Sequence, residues 1–106
     1  MSQADEDRLW AALGDPMRLR VLDLLLERGE ATASALAAAL PITRQGIAKH
    51  LGVLERSGLV TSRRAGREVR FAVRGAGLDQ ARRRMAQVAA GWDARLVAIK
   101  RIAEGD

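Results

Sequence analysis

The sequence predicts a mainly α-helical fold with one small β-hairpin, four helices preceding the hairpin and one long helix following it. Three observations carry this. Apolar residues recur at spacings of three and four up to residue 56, and again from residue 78 to residue 103. Between those stretches the period drops to two, in "LVTSRR" and "REVRFAVR". The residue usage agrees: 20 Ala, 14 Leu and 7 Val stand against three aromatic side chains, a mix that favours helices packed closely through small residues. At this length, 1–106 is read as a single domain.

The first helix is placed at residues 5–13, in "DEDRLWAALG". Its acidic start suits the positive end of the helix dipole, and Gly14 closes it. In "GDPMRLRVLDLLLERGE" Asp15 is an N-cap and Pro16 a first helical residue, a pairing that starts a helix well. Leu19, Leu22 and Leu26 line one side of this second helix, with Val21 and Leu25 beside them, and Gly29 ends it. The third helix, "TASALAAAL", begins at Thr32 as N-cap; Leu36 and Leu40 face inward, and Ala37 leaves room for a close crossing. Pro41 disfavours the α conformation at Leu40, so the helix stops there. Thr43 then caps a fourth helix over residues 44–56, whose inward side is Ile47, Leu51 and Leu54. Two helices joined by so short a turn make a helix-turn-helix over 32–56.

Past Gly58 a hairpin is expected over 59–74. Val69, Phe71 and Val73 alternate with Arg70, Ala72 and Arg74, "AG" supplies the turn, and Arg63, Arg64 and Arg67 crowd its tip. The last helix runs over 78–103, with Met85, Val88, Trp92, Leu96 and Ile99 on one seam. No element follows that could cover this seam, so a second copy of the chain is expected against it.

The charge is unevenly spread. Residues 43–74 hold eight Lys or Arg against two Glu, whereas residues 1–42 are net acidic. A basic surface confined to one segment points to a polyanion, most often nucleic acid. Other classes find little support. No Cys is present, which removes disulfides and thiolate metal sites. No apolar run approaches the ~20 residues of a membrane span. The acidic start "MSQADEDRLW" is unlike a signal peptide, so a cytoplasmic chain with no membrane partner is expected. No nucleophile–base pair, Gly-rich phosphate loop or metal cluster is present, so no catalytic residue, metal or cofactor is assigned.

The candidate site follows from the outward face of the fourth helix. It offers Thr43, Arg44, Gln45, Lys49 and His50 to solvent, between a tight turn and a basic hairpin. Arg bonds guanine bidentately and Gln does so to adenine, each worth ~1–3 kcal/mol of discrimination, so Arg44 and Gln45 are assigned to base edges of double-stranded DNA. Thr43 and Lys49 suit phosphates, which orient without specifying. His50, the single histidine, suits a structural or phosphate-contacting role. Arg63, Arg64, Arg67 and Arg70 are assigned to the DNA backbone; the same charges could instead guard a hairpin edge. The run "ARRRMA" at 81–86 reads as a solvated helix face. A protein-interaction module and a nonspecific architectural DNA binder stand as the other readings.

The order helix, helix, helix-turn-helix, hairpin, long helix is that of a winged helix-turn-helix. The pieces "LGDPMRLRVLDLL", "ASALAAALPITRQGIAKHLGVLERSGLV" and "RRAGREVRFAV" together resemble the ArsR-type bacterial repressors. That resemblance implies a homodimeric repressor of an inverted-repeat operator. It also implies helix 44–56 in the major groove, the hairpin as a wing on the backbone, and helices 5–13 and 78–103 at the dimer interface. Leu9, Trp10 and Leu13 of the first helix would join Met85, Val88, Trp92, Leu96 and Ile99 there. Many members of the family sense metals through cysteines before the turn, or through His and acidic residues on the last helix. Here the matching stretch is "TASAL", and the last helix offers Asp79, Asp93 and Glu104 without His. The chain resembles the metal-independent branch, and no effector site is visible.

Overall fold

The computed structural model describes residues 1–105. Helices α1 (Gln3–Leu13) and α2 (Pro16–Arg28) are followed by a two-residue strand β1 (Ala31–Thr32) and by α3 (Ala33–Ala39) and α4 (Arg44–Arg56). Strands β2 (Val60–Ala65) and β3 (Glu68–Val73) form the hairpin, and α5 (Gly75–Ala103) closes the chain. The sheet has the order β1-β3-β2, antiparallel throughout, with Phe71 opposite Ala31 on one side and Ser62 on the other.

The caps explain why the helices start where they do. Ser2 accepts from the Asp5 N–H while Asp5 answers at the Ser2 N–H, a capping box that starts α1 two residues before the expected position. Asp15 caps α2, Thr32 caps α3 and Thr43 caps α4, each accepting from the third N–H onward. The Arg18 N–H, ahead of the neighbouring charges, holds the Asp15 carboxyl below its usual range. Leu40 is extended before Pro41, as the proline requires.

The core joins α1 to α4 and the base of the hairpin through Leu9, Val21, Leu22, Leu25, Leu36, Ile47, Leu51, Leu54, Leu59 and Val60. Two expectations are corrected here. Leu19 and Leu26 are exposed, and α2 buries Val21, Leu22 and Leu25 instead. Both sets have helical spacing; the direction of the α2 crossing selects between them. Leu9, expected at the dimer interface, is 3% exposed and lies inside the protomer core.

Beyond its first turns α5 leaves the body of the protomer. Only Gly77 and Ala81 of α5 are buried. A Cβ at Gly77 would overlap the Gly58 carbonyl oxygen, so this glycine allows the helix to seat against the β2 entry backbone. One further tie is polar: Arg84 donates through Nε to Glu6 at 2.7 Å, and Trp10 Nε1 donates to the same carboxylate oxygen at 3.2 Å. Arg84, followed by Trp10, holds the Glu6 carboxyl below its usual range.

Gly77→Ala is therefore expected to lift α5 off the domain. The neighbours are backbone and cannot rotate away, so the cost falls near the top of the ~1–3 kcal/mol range for overpacking, roughly 10 °C in Tm. Gly75→Ala, facing open space, is the control and should melt with the parent. Equal thermal melts for Gly77→Ala and the parent would refute the close approach.

Candidate nucleic-acid interface

Helix α4 divides cleanly around its axis. At about 100° per residue, Arg44, Gln45, Ala48 and Lys49 fall within roughly 140° of arc, and Ile47, Leu51 and Leu54 fall within a separate arc of roughly 60° whose edge adjoins Arg44. The first group is exposed and the second buried. Thr43 fixes the start of the helix through its hydroxyl, which accepts from the Gly46 N–H at 3.1 Å. Its carbonyl takes the Ile47 N–H. The N-terminal end of α4 is therefore held rigidly and carries three exposed polar side chains in succession.

His50 lies elsewhere. It is half-buried at the edge of the inward face, its Nδ1 buried without a hydrogen-bond partner among the described residues. It lies close to Asp15, the α2 cap. The structure thus sets His50 at the α2–α4 seam, apart from the exposed face formed by Arg44, Gln45 and Lys49.

The hairpin stands beside α4. Its turn, Gly66-Arg67, has a positive φ at Gly66 and none at Arg67, the sign pattern of a type II′ turn matched to strand twist. Ser62 on β2 donates to Glu55 of α4 at 2.7 Å and ties the wing to the helix. Arg67 at the turn and Arg44 on α4 line the same groove, together with Ala48, Glu68, Val69 and Phe71.

The four wing arginines fall into two pairs. Arg64 and Arg67 are exposed, with no carboxylate partner among the described residues. Arg63 and Arg70 face each other across β2 and β3, and both reach Glu30 at the entry to β1. Arg63 donates to Glu30 through two nitrogens, at 2.9 and 2.7 Å, and Arg70 adds a contact at 3.6 Å. Arg70 also meets Glu68 at 3.1 Å. The Arg63 hydrogen bonds, ahead of its charge and that of Arg70, hold the Glu30 carboxyl below the usual range. Sequence reasoning missed Glu30, whose only local signal is its position before the β1 residues.

The seam of α5 is open. Met85, Trp92, Leu96 and Ile99 are exposed, and Val88 is half-covered. Trp10 and Leu13 of α1 are half-buried, Leu13 packing against the protomer core. Arg95 lies over the Trp92 ring, 5.1 Å from its centroid. Among the described residues no helix is long and apolar enough to cross a membrane.

Residues 13–63 match a family model described as a helix-turn-helix domain. The chain is 49% identical over 69 residues to the uncharacterized HTH-type transcriptional regulator YuzN of Bacillus subtilis, a match over 59% of this chain and 75% of the relative. Among solved structures it is similar to an ArsR-like transcriptional regulator from Rhodococcus sp. RHA1, with a TM-score of 0.74 and 45% identity over 94% of this chain and 93% of that one. It is also similar to a homodimeric winged helix-turn-helix DNA-binding domain of Mycobacterium bovis, described as a possible ArsR-family regulator. There the TM-score is 0.65 at 30% identity, over 85% of this chain and 80% of that one.

Proposed function

Because the chain belongs to the ArsR family of winged helix-turn-helix transcriptional regulators, we propose that it acts as a homodimeric repressor that occupies an inverted-repeat operator. The observation that carries the reading is the exposed start of α4, Thr43, Arg44 and Gln45, set beside a wing tip whose Arg64 and Arg67 have no carboxylate partner among the described residues. In this reading Arg44 and Gln45 meet base edges in the major groove. Thr43, Lys49, Arg64 and Arg67 meet phosphates. His50 supports the seating of α4. Dimerisation through the α5 seam places the two α4 helices on successive half-sites. A protein-interaction module fits less well, because the outward face of α4 carries no large apolar side chain.

The test is a titration of the protein against upstream genomic fragments and random duplexes over a range of salt. One fragment should bind far tighter than random DNA, with log affinity falling linearly in log salt as counterions are released. Equal affinity for all duplexes would leave an architectural binder, and affinity flat in salt would remove DNA as the partner.

We extend the proposal to metal independence. The chain has no Cys and one His, and that His lies on α4. Among the described residues no three His, Asp or Glu side chains converge. Zinc, cadmium or arsenite at low micromolar concentration should leave operator affinity unchanged. Stoichiometric zinc uptake with release of DNA would overturn this and would direct attention to carboxylate ligands.

A further inference from the structure

The Glu30 cluster has a geometry that neither the core nor the α4 face explains. Glu30 is partly exposed at 31%, at the edge of the sheet, and gathers two arginines that lie 33 and 40 residues further along the chain. Both carboxylate oxygens are occupied by Arg63, in the fork-to-fork arrangement that gives an arginine–carboxylate pair its strength and its fixed direction. Arg70 is held between Glu30 and Glu68. The wing carries four arginines from β2 through β3, yet two of them, Arg63 and Arg70, share their charge with carboxylates at the protein surface.

We propose that Glu30 is a charge-withholding residue that keeps Arg63 and Arg70 out of polyanion contact, so that Arg64 and Arg67 alone set the wing's grip on the phosphate backbone. The proposal rests on the DNA-binding reading for its biological meaning, but the withholding itself is a property of the wing toward any polyanion. Its physical basis is charge compensation: the bidentate carboxylate fixes the direction of the Arg63 guanidinium through two of its five N–H donors, and the paired charges cancel much of each other's field a short distance away. The consequence is a wing that releases fewer counterions than its arginine count suggests.

Glu30→Gln tests this. Gln keeps the volume and one acceptor oxygen and removes the charge. If one guanidinium per protomer then reaches a phosphate, a dimer neutralises two more phosphates, and the slope of log affinity against log salt steepens by about 1.8 on random DNA. Affinity for random duplex should rise on the order of tenfold at moderate salt. Arg63→Gln in the parent should change random-DNA affinity less than about twofold, whereas in the Glu30→Gln background it should cancel much of the gain, a coupling that a double-mutant cycle reads directly. Elution from heparin gives a readout free of DNA, with Glu30→Gln expected to elute at higher salt than the parent.

The opposite role, a clamp that presents Arg63 and Arg70 to phosphate, predicts the reverse. Glu30→Gln would then bind more weakly, and Arg63→Gln in the parent would lose affinity and slope. Either result overturns the proposal. Should the parent fail to bind DNA while Glu30→Gln still elutes later from heparin, the repressor reading falls and the withholding role stands. Should random DNA bind and the heparin shift be missing, the withholding role falls alone. Glu30→Asp, which keeps the charge, should track the parent.

Discussion

Trp92→Glu is expected to convert a dimer into a folded monomer and to cut operator affinity by about 10²–10⁴-fold, the advantage that linking two half-site contacts confers. The residue is 53% exposed on a helix that has left the protomer body, so its replacement removes nothing from the core. In a two-fold dimer the same patch meets itself, and each substitution counts twice. Truncating one buried tryptophan costs ~3–5 kcal/mol, so two cost about 6 kcal/mol or more, over four decades in the dimer constant, before the buried carboxylates are considered. Sedimentation equilibrium should show a parent near twice 11.5 kDa and a variant near 11.5 kDa. The unpartnered end of α5 should also fray, visible as a drop in helical circular dichroism. A parent that sediments as a monomer, or a variant that still dimerises, would remove the α5 seam as the interface.

The reach of the sequence is set by how local each signal is. Helix α4 lies within one cap and one stop: Thr43 begins it, Ser57-Gly58 ends it, and the observed span agrees with the expected 44–56. The hairpin itself is equally readable, but its turn falls one residue later than expected, at Gly66-Arg67 rather than at "AG", and Val69 is exposed while Phe71 and Val73 are partly covered. Strand β1 is not readable, since two residues have no period and Thr32 already serves as a helix cap. Helix α5 starts earlier than expected because Gly75 and Gly77 look like breakers, and only the contact with Gly58 shows why a glycine is needed there. Leu9 and the α2 leucines depart from expectation for a shared reason: spacing shows that a helix has an apolar face without showing which neighbour covers each residue. The Glu30–Arg63 pair spans 33 positions, and charge counting along the chain finds the excess of arginine but not its partner.

The proposed division of labour between α4 and the wing gives the second large effect. Gln45 is exposed one residue into α4, on a backbone pinned by the Thr43 cap, whereas Arg67 sits on the turn of a two-stranded wing. A rigid helix start can hold a planar amide in register with a base edge; a hairpin tip suits an untargeted grip on phosphate. Gln45→Ala is therefore expected to cost ~1–3 kcal/mol per half-site on the operator, leave random-DNA binding nearly intact and relax preference at one base pair per half-site. Two half-sites compound this to about 10²-fold or more in the dimer. Arg67→Ala is expected to weaken operator and random duplex by similar factors and to lower the salt slope by about one for each phosphate no longer neutralised. Arg64→Ala should resemble Arg67→Ala, since both guanidiniums lack a carboxylate partner among the described residues, while Arg63→Ala should do less because the Glu30 carboxylate already offsets its charge. Titrations of the four variants on operator and scrambled duplexes at several salt concentrations separate the roles. Equal weakening on both duplexes for Gln45→Ala, or erased preference at a single base pair for Arg67→Ala, would make the wing the reader and α4 the support.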